Sequence, residues 1–307
     1  MLKTVLKIIL MWIISTLLLF VILNALSGDA ASNIAGKQGE EAVKSLRHEM
    51  GLDRPVLIRY GEWLFDLLRG DLGKTFSSEK EVAELIKVPF LSSFSLMILV
   101  FSGLIFITLP LALYSGFYNN LFSRFLGKLS VLLSALPDFV ICFFILILIC
   151  SKLKLLPVLS IPGPGKTVWD NPTALIVPSI SVWVVISARI FRQIKVLIEN
   201  FSKTSYVTEA ALSGIAPFSV LFRHLLPSAL SGIFQILSNV IPFVLGNTMV
   251  AETITSFPGM GNTIISAVGS REVKIVMAFS GIIIFITLVS FYTADFFSKK
   301  QKAEGVF

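Results

Sequence analysis

Long apolar runs alternate along this chain with shorter polar stretches, and six of the runs are long enough to cross a membrane. The first covers residues 8–26 and is broken only by Ser15, Thr16 and Asn24. Its 19 residues, at ~1.5 Å of helical rise each, reach about 28 Å, close to the ~30 Å hydrocarbon core of a bilayer. Further runs cover 94–114, 129–150, 174–190, 230–251 and 276–297. Each is predicted to be helical, because backbone amides in lipid need partners within their own segment and the sequence lacks the alternation of a transmembrane barrel. Between the runs, Tyr60-Gly61-Glu62-Trp63-Leu64-Phe65-Asp66-Leu67-Leu68 has apolar residues at helical spacing and predicts a helix lying on the membrane surface or capping the bundle. Gly70-Asp71-Leu72-Gly73 is a turn signal.

Lys3 and Lys7 precede the first run, and Ala25-Leu26-Ser27 resembles a signal-peptide cleavage site. A signal peptide has an apolar region of only about 7–15 residues, and here more spans follow, so a retained anchor is expected.

Composition excludes the alternatives to a membrane protein. Hydrophobic residues make up 55% and charged residues 15%, with a mean hydropathy of +0.84. A soluble domain carries about 25% charge, and disorder or coiled coil needs still more polarity. The 26 basic and 19 acidic residues leave a net charge of +7. With the N-terminus inside, the short inner loops receive Lys3, Lys7, Arg124, Lys128, Arg189, Arg192, Lys195, Lys203, Arg223, Lys299, Lys300 and Lys302, against Glu199, Glu209 and Glu304, with Asp295 at the membrane edge. That asymmetry orients both termini toward the cytoplasm. The outer segment 27–93 carries nine basic and eleven acidic residues and is too long for the rule to apply. The expected organisation is an anchor at 1–26, an extracytoplasmic loop at 27–93, a five-helix core at 94–297 that includes the inner loop 195–228, and a cytoplasmic tail at 298–307. Cys142 and Cys150, eight residues apart in one apolar run, read as buried thiols, and neither His48 nor His224 has a metal-ligand partner at close spacing.

Within the inner loop, Thr204 or Ser205 can cap a short helix, Glu209 favours its early turns, and Gly214 is a natural terminator. Pro217 prevents simple continuation, and residues 218–226 form a second amphipathic piece parallel to the membrane. On spacing alone the loop is either a docking element or a linker that rejoins two spans. Pro137 with Asp138 interrupts the third run, and Pro242 with Gly246 the fifth. Broken helices can line a transport path, though a kink satisfied by neighbours is the plainer reading. Asp138 is an intramembrane carboxylate, with a pathway role or a helix-capping role. Asn239 and Asn247 face a path or make interhelical hydrogen bonds. Glu252 ends the fifth run beside the turn Ser256-Phe257-Pro258-Gly259-Met260-Gly261. No Gly-x-x-x-x-Gly-Lys-Ser/Thr loop is present; Gly163-Pro164-Gly165-Lys166-Thr167 is too short, and neither His-Glu-x-x-His nor Gly-x-Ser-x-Gly occurs.

The inner loop resembles that of the permease subunits of ATP-binding-cassette importers, whose signature is Glu-Ala-Ala, three residues, Gly, nine residues, Ile-x-Leu-Pro. Counted from Gly214, Leu226-Pro227 fall in place, while the literal Glu209-Ala210-Ala211 lies one residue late and Thr208 takes the glutamate position. Tyr206-Val207, Ala210, Gly214 and Arg223-His224 match the dipeptide, oligopeptide and nickel branch. So do Gly51-Leu52-Asp53-Arg54-Pro55, Tyr60, Trp63-Leu64, Gly70-Asp71-Leu72-Gly73, Ala135-Leu136-Pro137-x-Phe139, Leu155-Leu156-Pro157, Glu252-Thr253 and Phe257-Pro258-Gly259-Met260-Gly261. Val88-Pro89-Phe90-Leu91 departs from the branch's Pro-x-Thr, so the second span is expected to start differently.

The resemblance implies an all-α integral membrane protein of six transmembrane helices, with a cytoplasmic coupling helix between spans four and five. Tyr206, Glu209, Ala210, Gly214, Arg223, His224, Leu226 and Pro227 would meet an ATPase subunit. Ala210 and Gly214, four apart, would remove bulk from one face so that another backbone can approach, and Glu209 could pair with a basic residue there. Asp138, Asn239, Asn247, Glu252, Phe257, Pro258, Gly259 and Gly261 would belong to the pathway or its outer gate. No cofactor is expected on this chain, with ATP used by two partner ATPases. A second similar permease and an extracytoplasmic binding protein complete a transporter in a bacterial inner membrane. The cargo is expected to be peptide, with nickel or a metal chelate as the alternative. A membrane-embedded enzyme or assembly scaffold is the contrasting class, and it predicts no ATPase partner.

Overall fold

The structure is a computed structural model that describes residues 2–25, 30–35, 39–163 and 167–303; the side chains of 2, 30, 33, 34 and 297–303 stand outside that description. Leu26-Ser27 of the cleavage-like signal, Pro164-Gly165-Lys166 and Glu304 therefore lie outside the described residues, as do the side chains of Lys299, Lys300 and Lys302. In chain order the helices are α1 Leu2–Ala25, α2 Ala30–Ala35, α3 Glu40–Glu49, α4 Val56–Leu68, α5 Val82–Gly103, α6 Leu109–Phe117, α7 Leu121–Ala135, α8 Asp138–Leu146, α9 Thr173–Ser202, α10 Ser205–Leu212, α11 Pro217–Ser219, α12 Leu226–Asn239, α13 Ile241–Thr255, α14 Met260–Gly269 and α15 Val273–Ala303. Wider π-helical turns occupy Leu104–Thr108, Ile147–Lys152 and Val220–Leu225. Among the described residues β structure is limited to one isolated bridge between Lys74 and Glu81. Five continuous helical stretches are long and apolar enough to cross a membrane: Lys3–Ala25, Val82–Phe117, Thr173–Ser202, Pro217–Thr255 and Val273–Phe296. The bent pair Leu121–Ala135 and Asp138–Lys152 makes a sixth when counted as one span.

Prolines decide where these helices bend, and the details depart from the sequence expectation. The helix of the second span starts at Val82, twelve residues before the expected 94, and carries Pro89 inside it. In the third run the chain turns through 106°. Leu136 and Pro137 are extended, with ψ of 142° and 141°, because the residue before a proline is pushed out of the helical region. This is a full break, where a kink was the plainer reading. Pro242 gives the opposite outcome: only Val240 departs, mildly, and the helix runs from Pro217 to Thr255. Gly246 causes no interruption. Residues 218–226 are likewise no separate in-plane piece, since they open that same helix. Two of the π turns end two residues before a proline, Pro110 and Pro227. There the N–H of Leu109 bonds Leu104 and that of Leu226 bonds Leu221, so the widened turn relieves the crowding of the following ring against the preceding carbonyls.

The chain divides into two compact units, residues 1–93 with 258–288 and residues 94–257 with 289–307. In the first, α4 packs through one face and leaves Leu57, Ile58, Phe65 and Leu68 exposed. Tyr60 and Trp63 are buried with Phe20 and Met277. The Tyr60 hydroxyl donates to the Ile13 carbonyl at 3.0 Å and lies 2.9 Å from the Thr16 hydroxyl. Trp12 stacks on Trp63 with ring centroids 6.3 Å apart and donates its indole N–H to the Gly281 carbonyl at 2.8 Å. The buried carboxylate of Glu272 accepts the N–H groups of Phe76 and Ser77 at 3.0 and 2.8 Å, fixing the loop before α5.

The second unit is organised around α9, against which α6, α7, α8, α12 and α13 all pack. Small residues make the approach possible. A β-carbon at Gly116 would lie 2.7 Å from the Lys195 carbonyl oxygen, one at Gly103 2.6 Å from the Trp183 ring, and one at Gly232 2.8 Å from Leu197. Ser115 and Ser123 bond each other across the α6–α7 turn, hydroxyl to hydroxyl at 2.8 Å, while the Asn120 side chain caps α7 through the Ser123 N–H. The buried face of α7 is Ser123 and Ser130, and Phe122, Phe125 and Leu132 are exposed. Small residues inward and large apolar ones outward is the arrangement lipid selects, because lipid offers no hydrophobic penalty and close packing has to hold the helices together.

Candidate functional site

The inner loop is short and well anchored. α9 runs for 30 residues, about 45 Å, and ends at Ser202. Thr204 is extended at the start of α10, yet its hydroxyl does not cap the helix; it donates back to the Phe201 carbonyl at 2.6 Å. Val207 and Ala210 are buried, with α10 against α9 and the 220–225 turn. Ser213 closes the helix, its N–H and hydroxyl both donating to the Glu209 carbonyl at 2.9 and 2.8 Å. Gly214 then adopts φ 78°, the left-handed conformation that glycine enters without strain, and the chain turns into the helix that opens at Pro217.

Ala210 is buried against its own chain, and Gly214 is exposed with no atom within 4 Å of where a β-carbon would stand. What the loop presents outward is Tyr206, Glu209 and Leu212 on α10, with Phe218 and Phe222 beyond the turn. Leu212 is 83% and Phe218 70% exposed, and the Phe218 and Phe222 rings lie 4.4 Å apart. Leu212, Phe218 and Phe222 were not singled out from the sequence, although apolar residues i and i+4 in an otherwise polar loop are a readable signal. Arg223 is exposed, His224 and Leu226 are half-buried, and Pro227 sits at the start of α12.

The candidate pathway residues are scattered. Asp138 is half-buried in the first turn of α8, after Pro137, where a carboxylate faces the unsatisfied amides of the helix start. Asn239 is exposed at the end of α12, and the Asn247 amide donates to the Phe243 carbonyl of its own helix at 3.0 Å. Glu252 lies in the last turn of α13, beside the turn as expected, and is fully buried. Its carbonyl accepts the N–H of buried Phe257 at 2.8 Å while Ser256, at φ 54°, bonds Thr253, which makes the turn a Schellman cap. In the other unit, Gly259 is extended at the start of α14, the Met260 N–H donates to the Ser93 hydroxyl at 2.7 Å, and Gly261 is buried in the first turn. No helix is expected after this turn from the sequence, and α14 forms there. Arg189 lies within α9, half-buried, with its guanidinium 5.0 Å over the Phe243 ring. Among the described residues, the Ser179 hydroxyl is buried without a hydrogen-bond partner.

Comparison with known proteins decides what kind of protein carries these features. The family model described as "Binding-protein-dependent transport system inner membrane component" matches residues 108–302, and its N-terminal companion matches residues 1–97. The chain belongs to this family. It is a multi-pass protein of a bacterial inner membrane and a permease component of a binding-protein-dependent importer rather than an enzyme, which removes the enzyme-or-scaffold reading. Relatives include a probable peptide ABC transporter permease protein of Sinorhizobium fredii, 26% identical over 88% of each chain. A glutathione transport system permease protein of Pectobacterium atrosepticum is 24% identical over 87% of this chain and 85% of its own. A dipeptide transport system permease protein of Alkalihalophilus pseudofirmus is 24% identical over 89% of this chain and 88% of its own.

Proposed function

We propose that this permease forms half of a translocation pathway for peptides, in partnership with a second, similar permease, two ATPase subunits that use ATP, and an extracytoplasmic binding protein. The peptide and glutathione names of its relatives support peptide cargo over nickel or a metal chelate. Both termini are cytoplasmic in this reading, 27–93 is extracytoplasmic, 94–297 is the permease core, and the loop 195–228 meets an ATPase. Asp138, Asn239, Asn247, Glu252 and the turn Phe257-Pro258-Gly259 with Gly261 are assigned to the pathway and its outer gate.

The observation that carries the proposal is the apolar strip of Leu212, Phe218 and Phe222 beside Tyr206 and Glu209, held rigidly at the junction of two spanning helices. An exposed cluster of this kind on a well-anchored support fits a groove on a partner and moves as a lever when that partner moves. Val207 and Ala210 fasten α10 to its own chain, so force on the strip passes directly into α9 and the helix opening at Pro217. The pair Leu212→Asp and Phe218→Asp should cut ATPase association by about 30-fold, as for a loss of ~2 kcal/mol at an interface hot spot, and abolish peptide uptake while the protein still inserts. ATPase copurification and uptake at wild-type levels in the doubly substituted protein would refute the docking role. Cargo class is checked separately by identifying the ligand of the co-encoded binding protein.

A further inference from the structure

Arg189 is a charged residue inside a spanning helix. It follows Thr173, the first residue of α9, by about 24 Å of helix, within the ~30 Å thickness of a hydrocarbon core. Its guanidinium stands 5.0 Å over the Phe243 ring of α13, and among the described residues it has no hydrogen bond or ion pair. Farther along the same helix, by contrast, Lys195 has the Glu199 carboxylate 3.6 Å away. Arg189 is half-buried, so part of the group faces out of the unit.

A charge without a counter-ion is costly in lipid, and such side chains face a bundle interior or a water-filled cavity. The neighbouring face of α13 fits that setting. Val244, Leu245 and Thr248 are buried, while Phe243 on the other side of the helix is exposed. Asn239 and Asn247 stand four residues to either side of Phe243 within the continuous helix Pro217–Thr255, so the three side chains share one face. That face is amide and aromatic, with a guanidinium against it. The outward side of α7, with Phe122, Phe125 and Leu132, is the apolar kind that suits lipid.

We infer that Arg189 binds the C-terminal carboxylate of a peptide during its passage, with Phe243 holding the guanidinium in place. The inference rests on the peptide reading above and names the part of the cargo that this chain recognises. Every linear peptide carries that carboxylate whatever its side chains, so one fixed cation serves cargo of varied sequence. The planar fork of guanidinium matches a carboxylate with two parallel hydrogen bonds, and the ring covers one of its faces without using its donors. A single cation on the path holds the carboxylate strongly enough to admit it and weakly enough to release it.

The test is uptake into proteoliposomes by the transporter assembled with its co-encoded partners. Two cargoes are compared, a peptide and its C-terminal amide, each at a level that saturates the binding protein. Arg189→Gln should cut uptake of the free peptide about tenfold and leave that of the amide unchanged, so the acid-to-amide ratio falls by the same factor. Arg189→Lys, which keeps the charge and loses the fork, should lower the ratio by a smaller factor. It decides the matter if the glutamine variant fails to assemble, and an unchanged ratio then overturns the inference. Equal loss of both cargoes in Arg189→Gln is the mark of a structural role, such as an ion pair with the second permease, and overturns it as well. Wild-type uptake that requires phosphatidylglycerol, with that requirement erased in Arg189→Gln and the ratio intact, overturns cargo as the source of the anion in favour of a lipid phosphate. Import of neither cargo by wild type overturns the peptide reading and the inference together, whereas import of both with a ratio that Arg189→Gln leaves unchanged overturns the inference alone.

Discussion

The two units are held by different kinds of contact. In residues 1–93 with 258–288, the contacts that matter are directional bonds between segments far apart in sequence: Tyr60 to Ile13, Trp12 to Gly281, Glu272 to Phe76 and Ser77, and Met260 to Ser93. In residues 94–257 with 289–307 such bonds also occur, Trp183 to Thr108 among them, but helices approach α9 where side chains are missing, at Gly103, Gly116 and Gly232. The difference follows from the local structure being held. Loops and short helices leave backbone groups unsatisfied inside the segment, and these need named partners. Long apolar helices satisfy their own backbone, and among lipid tails they gain most from close contact.

Three substitutions separate these modes. Gly116→Val should have the largest effect, because its added atoms meet the Lys195 carbonyl and the Ile198 side chain, both at 2.7 Å, and backbone on α9 cannot swing aside. A cost of about 3 kcal/mol is expected, seen as lower unfolding temperature and loss of folded protein in detergent. A wild-type unfolding profile would show that α6 can move off α9 cheaply. Glu272→Gln removes a charged acceptor from two N–H groups and should cost about 2 kcal/mol, with faster amide exchange at Phe76 and Ser77 and little change around α9. Exchange that rises equally in both units would break the comparison. Tyr60→Phe keeps the ring and loses only the hydroxyl bond, so about 1 kcal/mol and a local change in Trp63 fluorescence are expected.

Much of the fold was legible in advance because membrane insertion imposes long apolar helices, and among the described residues the six expected apolar runs are largely helical, the third as two helices with a sharp bend between them. Boundaries were less legible where apolar and amphipathic residues merge. Val82 to Ser93 joins the second span and residues 217–225 join the fifth, although both carry polar side chains that a hydropathy reading places outside. The two prolines show the limit of a local rule. Pro137 and Pro242 look alike in sequence, yet one ends its helix and reorients the next by 106° while the other is absorbed. Neighbouring helices determine which outcome is stable. The inner loop was located through Gly214 and Leu226-Pro227, but the packing of Ala210 onto its own chain was not legible there.

By itself the sequence determined that this is an all-α membrane protein, where its apolar runs lie, and which family motifs it carries. Those properties depend on transfer of side chains to lipid, on helical spacing and on short linear patterns, all of which are local. Tertiary structure alone decided that Glu252 and Glu272 are buried, that Arg189 lies over Phe243, and that Leu212 and Phe218 project outward. Burial and convergence depend on which distant segments meet, and in this chain positions as far apart as Trp12 and Gly281 are brought into contact only by packing.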